Sequence, residues 1–325
     1  MRTSPAARPV AALAAVVLVA ALATACDDLG QDKAEPAPVA PATASAAAGA
    51  GTAGAAAGKA KTVQLGKTVY KGGLKFDVAT ASYQPGENGD FKVVVDTTVT
   101  NTFKTSAVRD WPDFALDIAG TPVRGDYGTA VPPTPSASNR LPLTFTGHSE
   151  PGHPFAFDGT SLVLGDAAEA QAVLPLGTGG REAADLKPLD LTLPGAGLTS
   201  GRLTLTLKTA QLRADFGDGA PGGLQRGQRA LFVVYDMKGN VGPAGMAVAG
   251  EVLRLKLPNG QEVGPSRAPI EAIYPDHPLY QDQVAWFVFS GATDGDYTLT
   301  VTDAPSAPGA AVFHATGLKA SGPLG

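Results

Sequence analysis

FKVVVDTTVTN, residues 91–101, alternates apolar and polar side chains along its length. Every second residue from Phe91 to Val99 is apolar or threonine, and most of the residues between them are polar. Successive side chains of an extended chain point to opposite faces, so a period of two places the first set on one face. The stretch therefore predicts a β-strand with one face in a core and the other in water.

The same alternation recurs along the chain from residue 62 onward. It is found in residues 74–78, 203–207, 253–257 and 297–301. Turn-forming residues such as Pro258-Asn259-Gly260 stand between these stretches. The pattern predicts an all-β fold class.

From residue 62 the chain also contains two similar halves. Four stretches match in the same order: residues 73–78 with 201–207, 91–101 with 230–240, 114–123 with 253–263, and 154–157 with 285–289. This order predicts a tandem duplication. Short strands separated by turns over about 120 residues are typical of an immunoglobulin-like β-sandwich. We expect one sandwich over residues 62–178, a linker over residues 179–199, and a second sandwich over residues 200–325.

The N-terminal segment has the features of an export signal. Arg2 and Arg8 precede an almost wholly apolar run, residues 10–23, and small residues follow. This order of charge, apolar core and small residues is typical of a secretory signal peptide. A membrane-spanning helix is the alternative, but a span needs about 20 apolar residues. The run here is shorter and is followed by Asp27 and Asp28.

Cys26 is the only cysteine of the chain and directly follows Ala25. The segment resembles a bacterial lipobox, in which a cysteine after small residues becomes the lipidated N-terminus. The lipobox leucine three residues before the cysteine is replaced by Ala23, with Leu22 one step further back. The resemblance implies a lipoprotein signal peptide over residues 1–25 and lipidation of Cys26. The alternative is a plainly secreted protein whose lone cysteine has no intramolecular partner.

Residues 34–61 are almost entirely alanine, glycine, proline, serine and threonine. A segment with so few large apolar side chains buries too little surface to offset the entropy lost on ordering. We therefore expect residues 26–61 to be the lipidated cysteine and a disordered tether. On this interpretation the protein is extracytoplasmic and held at the outer face of the cell membrane.

Several segments resemble known families of surface domains. The Gly-Gly-Leu strand at residues 72–74, the strand at residues 93–101 and the strand at residues 113–118 are similar to immunoglobulin-like domains of unknown function in Gram-positive, including actinobacterial, surface lipoproteins. Residues 294–301 resemble the tyrosine-bearing late strand of bacterial immunoglobulin-like repeats. The resemblance implies fold and surface display, and it implies no catalytic residues.

His148, Glu150 and His153 are the candidate metal ligands. Histidine and carboxylate side chains bind divalent ions, but this spacing matches no known structural site and lacks a fourth ligand. A solvated loop is the alternative, and we expect no bound metal. Asp215, at the start of Asp215-Phe216-Gly217-Asp218-Gly219, similarly suggests either a calcium loop or an ordinary turn.

Trp111, Tyr274 and Tyr280 are the candidate binding residues. Each stands close to a proline, and aromatic side chains beside prolines form peptide- or glycan-binding surfaces or simply fix a loop to its sandwich. Trp286 lies in an apolar stretch and is predicted to be in the core. We find no serine nucleophile elbow and no basis for a catalytic triad, so we expect neither an enzyme nor a cofactor.

These features favour a lipid-anchored display protein that binds a protein or cell-wall polymer. The formal net charge of −5 argues against a nucleic-acid partner, which would require a basic face. One alternative is a transporter's solute-binding lipoprotein, which would show strands alternating with helices, and residues 166–172 and 181–186 are only weak helical candidates. The other is an accessory domain of a cell-envelope hydrolase.

Overall fold

The computed structural model describes residues 59–150, 153–195, 197–216 and 223–318. The predicted signal peptide, Cys26 and nearly all of the predicted tether therefore lie outside the described residues. The described chain consists of antiparallel β-strands, loops and two single-turn 3-10 helices, Glu87–Gly89 and Gly250–Val252. Within it, no helix has the length and apolar character that crossing a bilayer would require. The all-β fold class predicted from the alternating stretches is confirmed.

The first half is a sandwich of eight strands. They are β1 (Lys61–Lys71), β2 (Leu74–Pro85), β3 (Asp90–Asn101), β4 (Phe114–Ile118), β5 (Thr121–Asp126), β6 (Ser138–His148), β7 (Thr160–Leu164) and β8 (Ala172–Pro175). One layer has the order β1-β2-β3-β6 and the other β5-β4-β7-β8. Strand β5 joins the layers, because it pairs with β4 and then, at Gly125 and Asp126, with β6.

Residues 91–101 lie within β3, at the centre of the first layer, between β2 and β6. Val93, Val95 and Val99 are completely buried, as the alternation requires. Thr97 takes a polar inward position and donates its hydroxyl to the carbonyl oxygen of Leu141 at 2.6 Å. The buried hydroxyl is therefore satisfied, and the alternating face serves as core along the whole strand.

The second half repeats this arrangement. Its strands are β9 (Leu189–Asp190), β10 (Leu198–Ser200), β11 (Leu203–Arg213), β12 (Gln228–Gly239), β13 (Met246–Val248), β14 (Leu253–Lys256), β15 (Glu262–Val263), β16 (Glu271–Ile273), β17 (Leu279–Ser290), β18 (Gly295–Val301) and β19 (Gly309–Ala315). The layers have the orders β10-β11-β12-β17 and β15-β14-β18-β19, with β9 beside β11 and β13 paired to β16. Strand β9 and the first residues of β10 fall within the predicted linker.

Both halves have the strand order of an immunoglobulin-like sandwich. Strands β2-β3-β6 and β11-β12-β17 take the places of strands A, B and E, and β4-β7-β8 and β14-β18-β19 take those of C, F and G. At the start of β18, the buried Tyr297 donates its hydroxyl to the carbonyl oxygen of Thr293 at 2.8 Å. Such a tyrosine corner is a hallmark of the fold. In the first half Thr160 makes the same bond to Ala156, at 2.7 Å. The predicted tandem sandwiches are confirmed.

One of the four sequence matches between the halves is wrong. Residues 285–289 lie in β17, whose counterpart in the first half is β6. Residues 154–157 instead form a loop before β7, where Phe155 stacks on Tyr83 with ring centroids 4.9 Å apart. The two stretches are both aromatic, but one fills the interior of a sandwich and the other covers one end.

Candidate binding cleft between the sandwiches

The two sandwiches meet through a cluster of aromatic rings. Phe103 follows β3 of the first sandwich, and its ring centroid lies 5.3 Å from that of Phe232 and 5.8 Å from that of Trp286. Phe232 and Trp286 face each other across β12 and β17, with centroids 4.5 Å apart. Phe216 lies against both Phe103 and Trp286. These rings belong to the same continuous core as the first sandwich, so the two halves share apolar interior.

A buried ion pair lies beside these rings. Strand β11 ends at Arg213, whose guanidinium donates to both carboxylate oxygens of Asp215 at 3.0 and 2.8 Å. The guanidinium also lies 4.4 Å from the centre of the Phe103 ring and donates to the Thr102 hydroxyl at 3.0 Å. Both charged side chains have no solvent exposure. The pair is a rigid, two-point contact from the second sandwich onto the first.

The Gly72-Gly73 turn, between β1 and β2 of the first sandwich, contacts this ion pair. The Gly73 amide donates to the Asp215 carboxylate at 3.1 Å, and the Gly72 amide donates to the Asp215 carbonyl oxygen at 2.8 Å. Gly73 has a φ of +78°, and a Cβ there would lie 2.4 Å from the Phe103 ring. Only glycine meets both demands, so the β1–β2 turn is shaped for the junction.

Beside the junction, a cleft of about 790 Å³ opens between the sandwiches. The first sandwich contributes residues 106–112 of the β3–β4 loop, and the second contributes residues 267–269 and residues 282–284 of β17. Trp111 and Trp286 both line it, and they are the only two tryptophans of the chain. Clefts at domain junctions, with apolar walls and a few polar groups, are the usual sites of ligand binding.

A second ion pair lies at the cleft. Lys71, at the end of β1, is 2 % exposed, and its ammonium group contacts the carboxylate of Glu169 at 2.5 Å and donates to the carbonyl oxygen of Ala170 at 2.8 Å. A Cβ on Gly165 would lie 2.6 Å from the Lys71 side chain, so this glycine makes room for the lysine. The charges of Lys71 and Glu169 therefore cancel where the pair borders the cleft.

The charges of the cleft are nearly balanced. Of the described residues, three basic and four acidic side chains line it, and Arg109 and Asp110 are neighbours on one wall while Arg267 and Asp282 lie on the other. Asp282 also pairs with Lys208 at 2.9 Å. A cleft without a dominant sign does not attract a strongly charged polymer.

The structure places one of the three candidate aromatic residues in the cleft. Trp111 is half-buried and donates its indole N–H to the carbonyl oxygen of Ala130 at 2.8 Å. Tyr274 and Tyr280 do not line the cleft. Tyr280 donates to the carbonyl oxygen of Ala272 at 2.7 Å, and the 46 % exposed Tyr274 closes over the Gly245 turn. The three residues are therefore not brought together.

The candidate metal ligands form hydrogen bonds at the end of β6. His148 bonds through Nδ1 to the Asp90 carboxylate at 3.0 Å, and its side chain is 56 % exposed. The His153 amide donates to the carbonyl oxygen of Glu150 at 2.9 Å, and both side chains are exposed. Among the described residues, no group of three or more metal-binding side chains is placed to hold an ion.

Asp215, the first residue of the stretch predicted as a calcium loop or an ordinary turn, is buried at the junction. Both of its carboxylate oxygens accept hydrogen bonds from the Arg213 guanidinium. Gly217, Asp218 and Gly219 lie outside the described residues, as does Cys26, the predicted lipidation site.

Trp286 is 4 % exposed, and its predicted core position is confirmed.

Sequence reasoning missed Lys71, Phe103 and Arg213 as members of the junction and cleft. Lys71 and Arg213 each end a long alternating strand, where a charged residue ordinarily indicates that the strand has left the core. The one available signal was the Gly72-Gly73 pair, which permits an unusually close approach of another segment.

Comparison of the chain with protein-family models, with curated proteins and with solved structures finds no match.

Proposed function

We propose that the chain is an extracytoplasmic binding protein, anchored to the outer face of the cell membrane by a lipid on Cys26, and that the cleft between its sandwiches is the binding site. The observation that carries the proposal is the position of the cleft. It is bounded by both sandwiches at the point where Arg213 and the shared aromatic rings hold them together.

A fixed cleft suits binding because the walls need no reorganisation. The buried pair of Arg213 with Asp215 and the shared core oppose relative movement of the sandwiches, so a ligand does not have to order them. The fold itself supports binding only by analogy, since immunoglobulin-like sandwiches serve many unrelated functions. The proposal therefore depends on the cleft.

The cleft chemistry favours a neutral or mixed-charge partner. Half-buried Trp111 and Phe216 offer apolar contact, and the charged residues of the rim offer hydrogen bonds of both signs. A protein segment or a neutral wall polymer fits this description, and a nucleic acid does not.

Anchoring through Cys26 would place the cleft among such partners. Diacylation supports stable anchoring, because a single acyl chain binds a membrane only marginally.

Site-specific photocrosslinking on intact cells tests this proposal. A photoreactive amino acid at Ala107, an exposed residue of the cleft wall, is expected to form adducts with an external partner. The matched control is the same amino acid at Val312, which is 50 % exposed on β19 and does not line the cleft. Equal adducts from both positions, or adducts from Val312 alone, would contradict a binding role for the cleft.

A further inference from the structure

The edge of strand β17 is incomplete where it borders the cleft. Strand β17 is the last strand of its sheet and pairs, among the described strands, only with β12. Its other edge carries a single bridge, in which the Trp286 amide donates to the Arg267 carbonyl oxygen at 2.8 Å and the Ser266 amide donates to the Trp286 carbonyl oxygen at 2.8 Å. Among the described residues, the backbone hydrogen bonds on this edge end there.

The sequence explains why the ladder stops at Trp286. In an antiparallel pair, hydrogen-bonded positions recur every second residue, so the bridge of Arg267 with Trp286 would continue at Pro269 opposite Val284. Proline has no amide hydrogen and cannot donate to the Val284 carbonyl oxygen. Pro269 and Val284 both line the cleft, so the cleft borders the point where this pairing fails.

The geometry leaves an open position for an added strand where β17 borders the cleft. Residues 283–290 of β17 pair with β12 without interruption, so the N–H and C=O of Val284 point the same way as those of Trp286, away from β12. Further along the strand, the register with β12 shifts between Tyr235 and Met237, Asp282 has a φ of +54°, and the Gln281 carbonyl oxygen accepts from the side-chain Nε2 of Gln283 at 3.0 Å. A β-bulge therefore closes the edge on that side.

The first sandwich shows how the same edge is closed. Its strand β5 crosses to β6 and pairs there at Gly125 with Phe145 and at Asp126 with Thr144. In the second sandwich β15 ends at Val263 and does not pair with β17. In both copies the pairing on this edge is short and includes equivalent residues, Phe145 in the first and Trp286 in the second, but only the second edge borders the cleft.

We propose that the cleft takes an extended peptide segment of a partner protein, which pairs with the N–H and C=O of Val284, two groups without a hydrogen-bond partner among the described residues, and so adds a short strand to β17. This inference rests on the proposed binding function of the cleft. Strand addition gives affinity through main-chain bonds and specificity through alternate side chains. The aromatic wall formed by Trp111 and Phe216 would take an apolar side chain, and the balanced charges would take polar neighbours.

The test uses the full chain and acetylated, amidated short peptides in which valine and threonine alternate around one varied residue. Because both tryptophans line the cleft, intrinsic fluorescence reports binding there. Hydrogen–deuterium exchange then reports the Val284 amide. The expected result is a fluorescence change with saturation and about tenfold slower exchange at Val284, as a newly bonded amide requires.

A matched pair of variants separates the main-chain bond from the side chain. Val284→Pro removes the outward N–H, which β12 does not use, and is expected to weaken peptide binding roughly three- to tenfold, the factor for one backbone hydrogen bond. Val284→Thr keeps the N–H and is expected to bind within about twofold of the unmodified chain. If Val284→Pro fails to fold by circular dichroism, the exchange measurement on the unmodified chain decides alone.

The outcomes distinguish this inference from the function on which it rests. Peptide binding without slower exchange at Val284 would overturn strand addition and leave the cleft as a binding site. A fluorescence response to chitohexaose, with none to the peptides, would overturn the peptide class in favour of a glycan. If no probe changes the fluorescence and Ala107 forms no specific adducts on cells, the proposed function fails as well.

Discussion

The guanidinium of Arg213 holds both carboxylate oxygens of Asp215, at 3.0 and 2.8 Å, with neither side chain reached by solvent. The pair belongs to the second sandwich, where Arg213 also donates to Gln211, and it contacts Phe103, Thr102 and Gly73 of the first. A buried pair of this kind does not guarantee net stability, because desolvation offsets much of the attraction. It does make the loss of one partner costly, since the other charge is left buried.

We therefore expect Arg213→Met to lower the free energy of unfolding by about 3–5 kcal/mol. The double variant with Asp215→Leu should lose less than the single variant, because no uncompensated charge remains. Chemical denaturation of the variants measures both values. Arg140→Met is the control, since Arg140 pairs with Asp96 at a surface where its side chain is 75 % exposed, and it should change stability little. Equal effects of Arg213→Met and Arg140→Met would show that burial of the pair is unimportant.

A second expectation concerns the turn that receives this pair. Gly73→Ala should cost about 2–5 kcal/mol, because it adds a strained left-handed backbone to a clash with the Phe103 ring. Gly120→Ala is the matched control. Its φ of +93° is also left-handed, but no atom lies within 4 Å of the added Cβ, so only about 1–2 kcal/mol should be lost. Thermal unfolding compares the two, and equal losses would argue against close packing at Gly73.

The proposed lipid anchor leads to a third expectation. Cys26→Ala should release the protein into the medium or leave it with its signal peptide attached, because the acyl chains have no other attachment point. Fractionation of cells and culture medium, followed by mass measurement of the N-terminus, checks this. Fractionation of the variant with membranes in the same proportion as the unmodified chain would contradict the assignment of Cys26.

A fourth expectation concerns acid. Arg202 lowers the pKa of Asp303 below its ordinary value of 3.8 through side-chain hydrogen bonds at 3.0 and 2.9 Å and a backbone hydrogen bond. A carboxyl whose pKa is lower in the folded state contributes stability above its unfolded pKa. That contribution is lost as the pH falls through the folded pKa.

Asp303→Asn should therefore be less stable than the unmodified chain at neutral pH, and the difference should shrink below about pH 4. Urea denaturation at a series of pH values measures it. A stability difference that stays constant between neutral pH and about pH 2 would show that the charge of Asp303 does not contribute.

The strands could be predicted from sequence because their signal is local. The alternation in residues 91–101 reports which face of β3 is buried, and the tyrosine-bearing stretch at residues 294–301, predicted as a late strand, forms β18. The match of residues 154–157 failed because aromatic content does not distinguish a strand in a core from a loop over its end. Residues 154–157 and 285–289 differ in their strand-pairing partners and not in their composition.

The cleft could not be predicted, because its walls come from segments far apart in sequence. Trp111 and Trp286 line one cleft only when the two sandwiches adopt one relative position, and that position depends on Asp215 reaching the turn at Gly73. Charged residues at strand ends ordinarily face water, so the pattern gave no indication of burial. The role of Pro269 in ending the pairing on the edge of β17 can be recognised only once Trp286 is known to pair with Arg267.

The apolar core that the two sandwiches share also determines the order in which the chain can complete its folding. The core that contains Phe103 is completed by Phe232 and Trp286, more than a hundred residues later in the chain. A chain that emerges N-terminus first therefore presents an unfinished apolar surface on its first sandwich until most of the second has emerged. Truncation after residue 199 should leave that surface permanently uncovered, so we expect the two sandwiches to mature as one unit.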